Sequence, residues 1–496
     1  MTVVTCNIEL NRVEGDLELQ VDVEDGRIVD ARCIGTLYRG FEQIMIGRAP
    51  TDALVITPRV CGICSTSHLY AAVLALEDAW GLPVPPNGTR VRDLCLMAET
   101  AQSDARQSFL MFTPDFCNPA YAAHPLAAEA AAAFEPFKGR LHLETLRLSK
   151  KLVEVVAIFG GQWPHSSHMV PGGVTSGPDA RRLTDALTVI GEVTRWYERS
   201  VLGGPLDAWL EVSSLDGLLA WTEARPDAAL GLFVRFARSV GLHRSGPGTP
   251  HLLSYGSGAR RAGFHDGGTG TIEALDHALI AEDVSHSHFR DTGGPRHPWD
   301  GETVPALAPG GTAYSWAKAP RYKDRVVQTG PLAQLVVAGD PLVAALFRAE
   351  GANTFLRQFA RIHRLGLLLR DMAVLIRAMA ADLGEPFYLP LPAELPDGDG
   401  VGMVEAARGG LGHWVRIRDG LIAGYQIVTP TAFNASPRDT QGRRGHWEES
   451  LIGLAVGDLD NPVEVGHLIR SHDPCLVCTV HVTGTPRRFR FGAGAR

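Results

Sequence analysis

Two short stretches at opposite ends of the chain, RVCGICSTSH at residues 59–68 and DPCLVCTVH at residues 473–481, decide how this sequence is read. Each contains a C-x-x-C pair: Cys61 with Cys64, and Cys475 with Cys478. A C-x-x-C turn lets two thiolates face one ion, as in zinc ribbons and iron–sulfur proteins. Two such turns together make an all-thiolate site, which favours soft ions. By spacing alone a structural zinc fits this pattern. Structural zinc knuckles close short loops, however, and here almost the whole chain lies between the pairs. A site completed only when both ends of the chain meet suits a buried reaction centre better.

Composition narrows the rest. The chain has 496 residues, with 47 Lys and Arg against 55 Asp and Glu, a formal net charge of −8. Such a balance carries no electrostatic footprint for nucleic acid or an anionic membrane surface. An apolar fraction of 45% is ordinary for a globular protein, and the length is ample for a core. No stretch approaches the roughly 18 uncharged apolar residues of a membrane span. Disordered, fibrous and integral membrane classes are therefore excluded. The N-terminus, MTVVTCNIELNRVEGD, lacks the basic patch and apolar run of a secretory signal. Eight cysteines are too few for a disulfide scaffold. Together these point to the cytoplasm, with membrane association or export arriving only through a partner.

Working outward from the cysteine pairs, both flanks look β-rich. LELQVDVEDGRIVDARC, residues 17–33, alternates apolar and polar positions around Asp25-Gly26, a good hairpin turn. HWVRIRDGLIAGYQIV, residues 413–428, does the same around Asp419-Gly420. Between them the pattern is helical. Leu69, Ala72, Val73, Leu76 and Trp80 follow a 3.6-residue period, with Gly81 as the stop. Further helices are expected at about 90–112, 127–159, 178–200 and 340–383, and irregular loops at 241–320. The fold class read from this is α+β, predominantly helical, with a central helix bundle and small sheets from the terminal segments. One interdependent body over residues 1–481 is expected: β-rich to residue 58, mainly helical over 59–400 and β-rich again over 401–481.

The flanks of the two cysteine pairs then become specific. The chain resembles the large, catalytic subunit of uptake-type nickel–iron hydrogenases. Arg59, Cys61, Gly62, Cys64 and His68 meet that family's N-terminal signature, and Asp473, Pro474, Cys475, Cys478 and His481 meet its C-terminal one. Between them, in order, stand YRGFE (38–42), PHSSHMVPGGV (164–174), YSWAKAPRY (314–322), ARGGLGHW (407–414) and YQIVTPTAFNASPRD (425–439), with RVEG (12–15) ahead of both.

The resemblance implies a Ni–Fe centre with carbon monoxide and cyanide on the iron. Cys61 and Cys475 would bind nickel terminally, while Cys64 and Cys478 bridge the two metals. It implies heterolytic oxidation of H2, with the Cys475 thiolate as base and Glu14 of RVEG relaying the proton. Read alone, Glu14 is as well a surface carboxylate between strands. Arg408 matches an arginine held over the open side of the metals, and Asp473 its carboxylate partner. Arg59 and His68 are implied to tune the ligands by hydrogen bonding. Glu42, the Ile427 carbonyl and His481 match a Mg2+ site, whose oxygen-rich set suits a hard cation. Glu42 read alone would pair with Arg39 or Arg48.

The same resemblance implies partners. The chain has no further cysteine clusters, so electrons would leave through a small subunit carrying iron–sulfur clusters. A maturation chaperone and an endopeptidase are implied, the latter removing residues 482–496 after His481, and a higher oligomer of heterodimers is expected. Three departures stand out. Ala407 replaces a proline before the arginine, which predicts a less rigid turn. AQSDARQSFLMF, residues 101–112, lacks the family's histidines but keeps Ser103 and Asp104. Asp16 follows RVEG where the family often has histidine. Cys6, Cys33, Cys95 and Cys117 read as core thiols, and His165, His168, His286, His288 and His297 as loop or core residues. Rival readings are an H2-sensing regulatory subunit of the same fold, a relative of the quinone-site subunit of respiratory complex I, and a zinc-bound scaffold. The four thiolates count against the second.

Overall fold

In the computed structural model, which describes residues 3–9, 17–307, 311–475 and 488–490, both expected hairpins form. Strands β1 (Val4–Glu9), β2 (Leu17–Glu24) and β3 (Arg27–Gly35) make an antiparallel sheet. Its β2–β3 turn holds Asp25 (φ 51) and Gly26 (φ 72) in the left-handed region that a two-residue hairpin demands. Residues 488–490 run parallel to β1 at the sheet's edge. The alternation read from sequence is real: Leu17, Leu19, Val21 and Val23 are buried. They pack against Trp447, Leu451, Leu468 and Ile469, so the two ends of the chain share one apolar cluster. Cys6 and Cys33 belong to that cluster and Cys95 to the main core, as expected of core thiols. Cys117 is half-buried.

The second sheet comprises β4 (Gly398–Ala406), β5 (Gly409–Arg418) and β6 (Leu421–Val428), with Asp419 (φ 52) and Gly420 (φ 71) at the β5–β6 turn. It lies directly on helix α1 (Ser65–Trp80), which carries His68 and follows the first cysteine pair. The contact is backbone on backbone. A Cβ at Gly398, Gly400 or Gly402 would stand 2.2, 2.1 or 1.9 Å from the carbonyl oxygens of Ala79, Ala75 and Ala71. The spacings match, since two strand residues advance about 6.7 Å and four helical residues about 6 Å. A glycine stripe therefore tracks an alanine stripe.

Around this pair stand α2 (Pro86–Arg106), α3 (Arg140–Gly160), α4 (Ala180–Trp196) and α5 (Thr354–Ala381). Helix α2 packs on α3 and α5, α3 on α4, and α4 on α5, enclosing the main core. The fold is thus mainly helical α+β, as read from sequence, but several boundaries differ. The helix expected at 127–159 is split into Ala127–Phe134 and α3, because Pro136 and Phe137 (φ 61) break it. The 340–383 helix is split where Gly351 (φ 68) ends Pro341–Glu350 and the Asn353 side chain caps α5, accepting from Leu356 N at 2.7 Å. Helix α2 widens after Arg106 into a π-helical turn, Gln107–Phe112. Short helices at Leu206–Leu210, Leu215–Glu223, Ala229–Ser239 and Pro331–Ala338 were not anticipated.

The glycine–alanine contact has a measurable consequence. Gly402→Ala forces β4 off α1 and should lower stability by the 1–3 kcal/mol or more typical of overpacking, about that range. Gly384→Ala, where an added Cβ meets nothing within 4 Å, should leave the thermal midpoint essentially unchanged. Equal midpoints for the two variants would refute the close-packing account.

Candidate metal centre

Cys61 lies just before α1 and Cys64 is its N-cap residue. A helix N-terminus favours negative charge, an influence that here works against burial of the first cysteine pair. The buried Glu99 carboxylate of α2 takes the Thr66 and Ser67 N–H groups at 2.8 and 3.0 Å, fixing the helix start. The second pair arrives differently. Helix α6 (Val463–Ser471) is capped by His472 and followed by Asp473, a non-glycine residue with φ 57, and then by Pro474. An αL residue followed by proline stops a helix and turns the chain sharply, and here the turn delivers Cys475.

The Sγ atoms of Cys61, Cys64 and Cys475 all lie within 4.8 Å of one another, and all three residues are buried and unbridged. Cys61 Sγ and Cys475 Sγ are 3.5 Å apart. Hydrogen bonding to Cys475 is the largest influence pushing both the Cys61 and Cys64 thiols up, with burial adding to it. Three soft donors so placed fit a thiophilic metal, whose binding must displace their protons. Cys478, Glu14 and His481 lie outside the described residues.

Arg408 sits in the two-residue turn between β4 and β5, with Ala406 paired to Gly409. Its Nη2 is 3.1 Å from Asp473 Oδ1, and its Nε donates to the Asp473 carbonyl at 3.1 Å. Burial opposes its charge, yet Asp473 and the cysteine thiolates hold it protonated even more firmly than usual. Its Nη1 is buried with no partner among the described residues, a donor left over for a bound group. Beside it Ile63, Ser103, Arg106, Gln107 and Met111 line a small cavity that also reaches Asp473.

Behind Arg408 stands a charge network that the motifs did not reveal. Asp104 of α2 receives Arg364 through two bonds of 2.7 and 2.8 Å and Arg361 at 3.2 Å. Arg361 also reaches Asp473 at 3.3 Å. Within this network three guanidiniums face two carboxylates, and Arg106 stands beside them in the same cavity. The same arginines hold the turn itself, since the Ala407 carbonyl accepts from Arg364 at 2.6 Å and Arg361 at 3.5 Å. The turn expected to be loose for want of proline is thus clamped by guanidiniums. Arg357, Arg361 and Arg364 recur at i, i+4 and i+7 along α5. That spacing puts them on one buried face, and it was the available sequence signal.

Other expected residues are placed as follows. Arg59 is exposed and donates to the Val55 carbonyl one turn back rather than to a cysteine, because the turn before α1 points it outward. His68 is buried and bonds His413 at 3.1 Å. Glu42 accepts from Ile427 N at 2.9 Å and from Thr303, and lies 3.4 Å from Lys318. Glu282 and Gln426 also meet Lys318, making an oxygen-rich cleft. His168 is a core residue bonded to Ser166 at 2.9 Å, and burial takes it down to about 4.

The network makes a stability prediction. Asp104→Asn removes the charge that two buried arginines share and should cost about 3–5 kcal/mol, as breaking a buried pair does. Adding Arg364→Gln should recover part of that loss rather than deepen it, read by thermal unfolding of single and double variants. Strictly additive losses would mean the residues do not act together.

Comparison with known proteins gives one answer. The family model for nickel-dependent hydrogenases matches residues 39–138 and 137–481. The periplasmic [NiFeSe] hydrogenase large subunit of Desulfomicrobium baculatum is 35% identical over 95% of this chain and 94% of its own length. The uptake hydrogenase large subunit of Rhodobacter capsulatus is 28% identical over 95% and 94%. The Ni-Fe-Se hydrogenase structure from Desulfovibrio vulgaris Hildenborough in the reduced state superposes with a TM-score of 0.81 at 30% identity, covering 97% of this chain and 100% of that one. A thiol cluster built from both ends of the chain, under a buried arginine, is thus found in a chain that belongs to the nickel-dependent hydrogenase family, as a large subunit of these oxidoreductases acting on H2.

Proposed function

We propose that this subunit oxidises H2 to two protons and two electrons at a four-cysteine Ni–Fe centre. Cys61 and Cys475 would hold nickel, and Cys64 and Cys478 would hold nickel together with an iron carrying carbon monoxide and cyanide. The observation that carries the reading is the gathering of three buried thiols from opposite ends of the chain within 4.8 Å. When bound, the group supplies a soft, redox-active metal pair that polarises H2 for heterolytic cleavage. The sequence has sulfur cysteines at all four motif positions and no selenocysteine, which favours the nickel–iron form over the selenium-containing one.

The chain's own residues do the rest. Arg408 aims a fixed positive charge at the cluster, and Asp473 and Asp104 with their arginines keep that guanidinium from swinging away. The small cavity by Ile63 and Met111 opens beside Arg408 and Asp473. Cys475 Sγ takes up a proton, and Glu14 carries it outward. A carboxylate suits that relay wherever burial raises its pKa toward neutrality. Glu42, the Ile427 carbonyl and His481 hold Mg2+, to which the oxygen-rich cleft lends support. Electrons pass to an iron–sulfur small subunit, and an endopeptidase trims the chain after His481 once a chaperone-assisted metal insertion is complete. Residues 1–481 then act as one interdependent body.

Infrared spectroscopy of the protein purified with its partners from its own host tests this. Bands of iron-bound carbon monoxide and cyanide that shift under H2 are expected, with nickel and iron by elemental analysis. Zinc and no such bands in protein already trimmed at His481 would leave the scaffold reading instead. Cys475→Ser should abolish H2 oxidation. Glu14→Gln should slow turnover by about 10²–10⁴-fold, the range for a positioned proton-transfer group, with the metals retained; unchanged turnover would remove Glu14 from the relay.

A further inference from the structure

The first turn of α1 sets two uses of one sulfur against each other. Cys64 is the N-cap residue of that helix, with Ser65, Thr66 and Ser67 as its first three residues. An N-cap side chain ordinarily accepts from the N–H of the second or third helical residue, here Thr66 or Ser67. A thiolate is drawn to such donors, because helix N-termini favour negative charge. Cys64 nevertheless makes no side-chain capping bond. Its sulfur lies within 4.8 Å of those of Cys61 and Cys475 instead.

The capping is done by Glu99, which reaches across from α2. Its Oε2 accepts from Thr66 N at 2.8 Å and its Oε1 from Ser67 N at 3.0 Å. Each oxygen also takes a second donor at 2.9 Å, the Ser67 hydroxyl on Oε1 and Trp163 Nε1 on Oε2. Three of these four donors are N–H groups, which can only donate. The shell therefore requires an acceptor at both oxygens, which a carboxylate is and a glutamine amide is not. Glu99, Thr66 and Ser67 are all buried, so no solvent takes its place. Trp163 extends the hold to the loop that comes back over the cysteine turn. There His165 N donates to Ser65 Oγ at 3.2 Å, and a Cβ at Gly62 would stand 3.9 Å from the His165 ring.

We infer that Glu99 is a positioning residue that caps α1 in place of Cys64, so that the Cys64 sulfur stays turned to the thiol cluster and serves as a metal ligand. The inference rests on the four-cysteine reading above. Without the carboxylate the Thr66 and Ser67 N–H groups are buried and unpaired, which is a costly state. The acceptor that helix geometry itself supplies for them is the N-cap side chain. Cys64 then turns back onto its own helix, and the cluster loses one sulfur.

The test counts sulfurs with Co2+ added to the metal-free full-length chain, whose thiolate-to-cobalt charge-transfer absorption grows with the number of thiolates bound. Cys64→Ser should lower the saturated absorption to about three quarters of wild type, as four thiolate ligands become three. Glu99→Ala should lower it by the same fraction. Combining Glu99→Ala with Cys64→Ser should lower it no further, because both changes take away the same sulfur; a general loosening of the fold would add to the loss. Glu99→Gln keeps the shape but turns an NH2 toward an N–H. It should lower the absorption too, and it reports even if Glu99→Ala fails to accumulate. Wild-type absorption in Glu99→Gln, or a further loss in the double variant, overturns the inference. Unchanged absorption in Cys64→Ser would instead strike the underlying four-cysteine reading.

Discussion

Everything at this centre depends on joining two thiol pairs that lie more than four hundred residues apart in the chain. Loop closure over such a span is costly in entropy, so the joint must be secured by structure far larger than itself. The apolar face of β2 and β3 does this by packing against Trp447, Leu468 and Ile469 of the C-terminal helices. The same helices carry Asp473 and Cys475 toward α1. The metal site is a consequence of closing the fold, and conversely any group binding all the thiols stabilises the closed fold by mass action.

The second requirement is a rigid positive charge in a place without water. An isolated buried guanidinium is expensive, and a buried ion pair is seldom stabilising in itself. The network of Asp104, Asp473, Arg361, Arg364 and Arg408 meets that difficulty by sharing each carboxylate between arginines. What is gained is position. The Asp473 backbone sits in the left-handed region, a conformation that L-residues adopt at a cost of about 1–2 kcal/mol. It is held there by Arg408 on its carbonyl and by Arg361 and Arg408 on its carboxylate. Helix end, strand turn and long helix thereby fix one another.

Sequence and structure diverge most where a residue's neighbours come from distant segments. The C-x-x-C pairs, the Asp-Gly hairpins and the α1 periodicity are local signals, and each was legible. Helix ends inside 127–159 and 340–383 were blurred because apolar periodicity continues across a break, although Pro136, Gly351 and Asn353 marked those breaks. The arginine face of α5 was legible in principle from its spacing. No local signal pairs His413 with His68, or tells that Arg59 points outward.

The sequence by itself determined the ligand chemistry. Thiolates are soft donors wherever they stand, and two C-x-x-C turns with their flanks identify the family without coordinates. The β-hairpins and the main helices were likewise fixed, since turn residues and periodicity act within a few positions. Only the tertiary structure decided that Gly398, Gly400 and Gly402 let β4 lie on α1, that guanidiniums clamp the Ala407 turn in the absence of a proline, and that His68 meets His413. Those outcomes depend on contacts between segments hundreds of residues apart, and on burial, which sets the cost of every unpaired charge and proton.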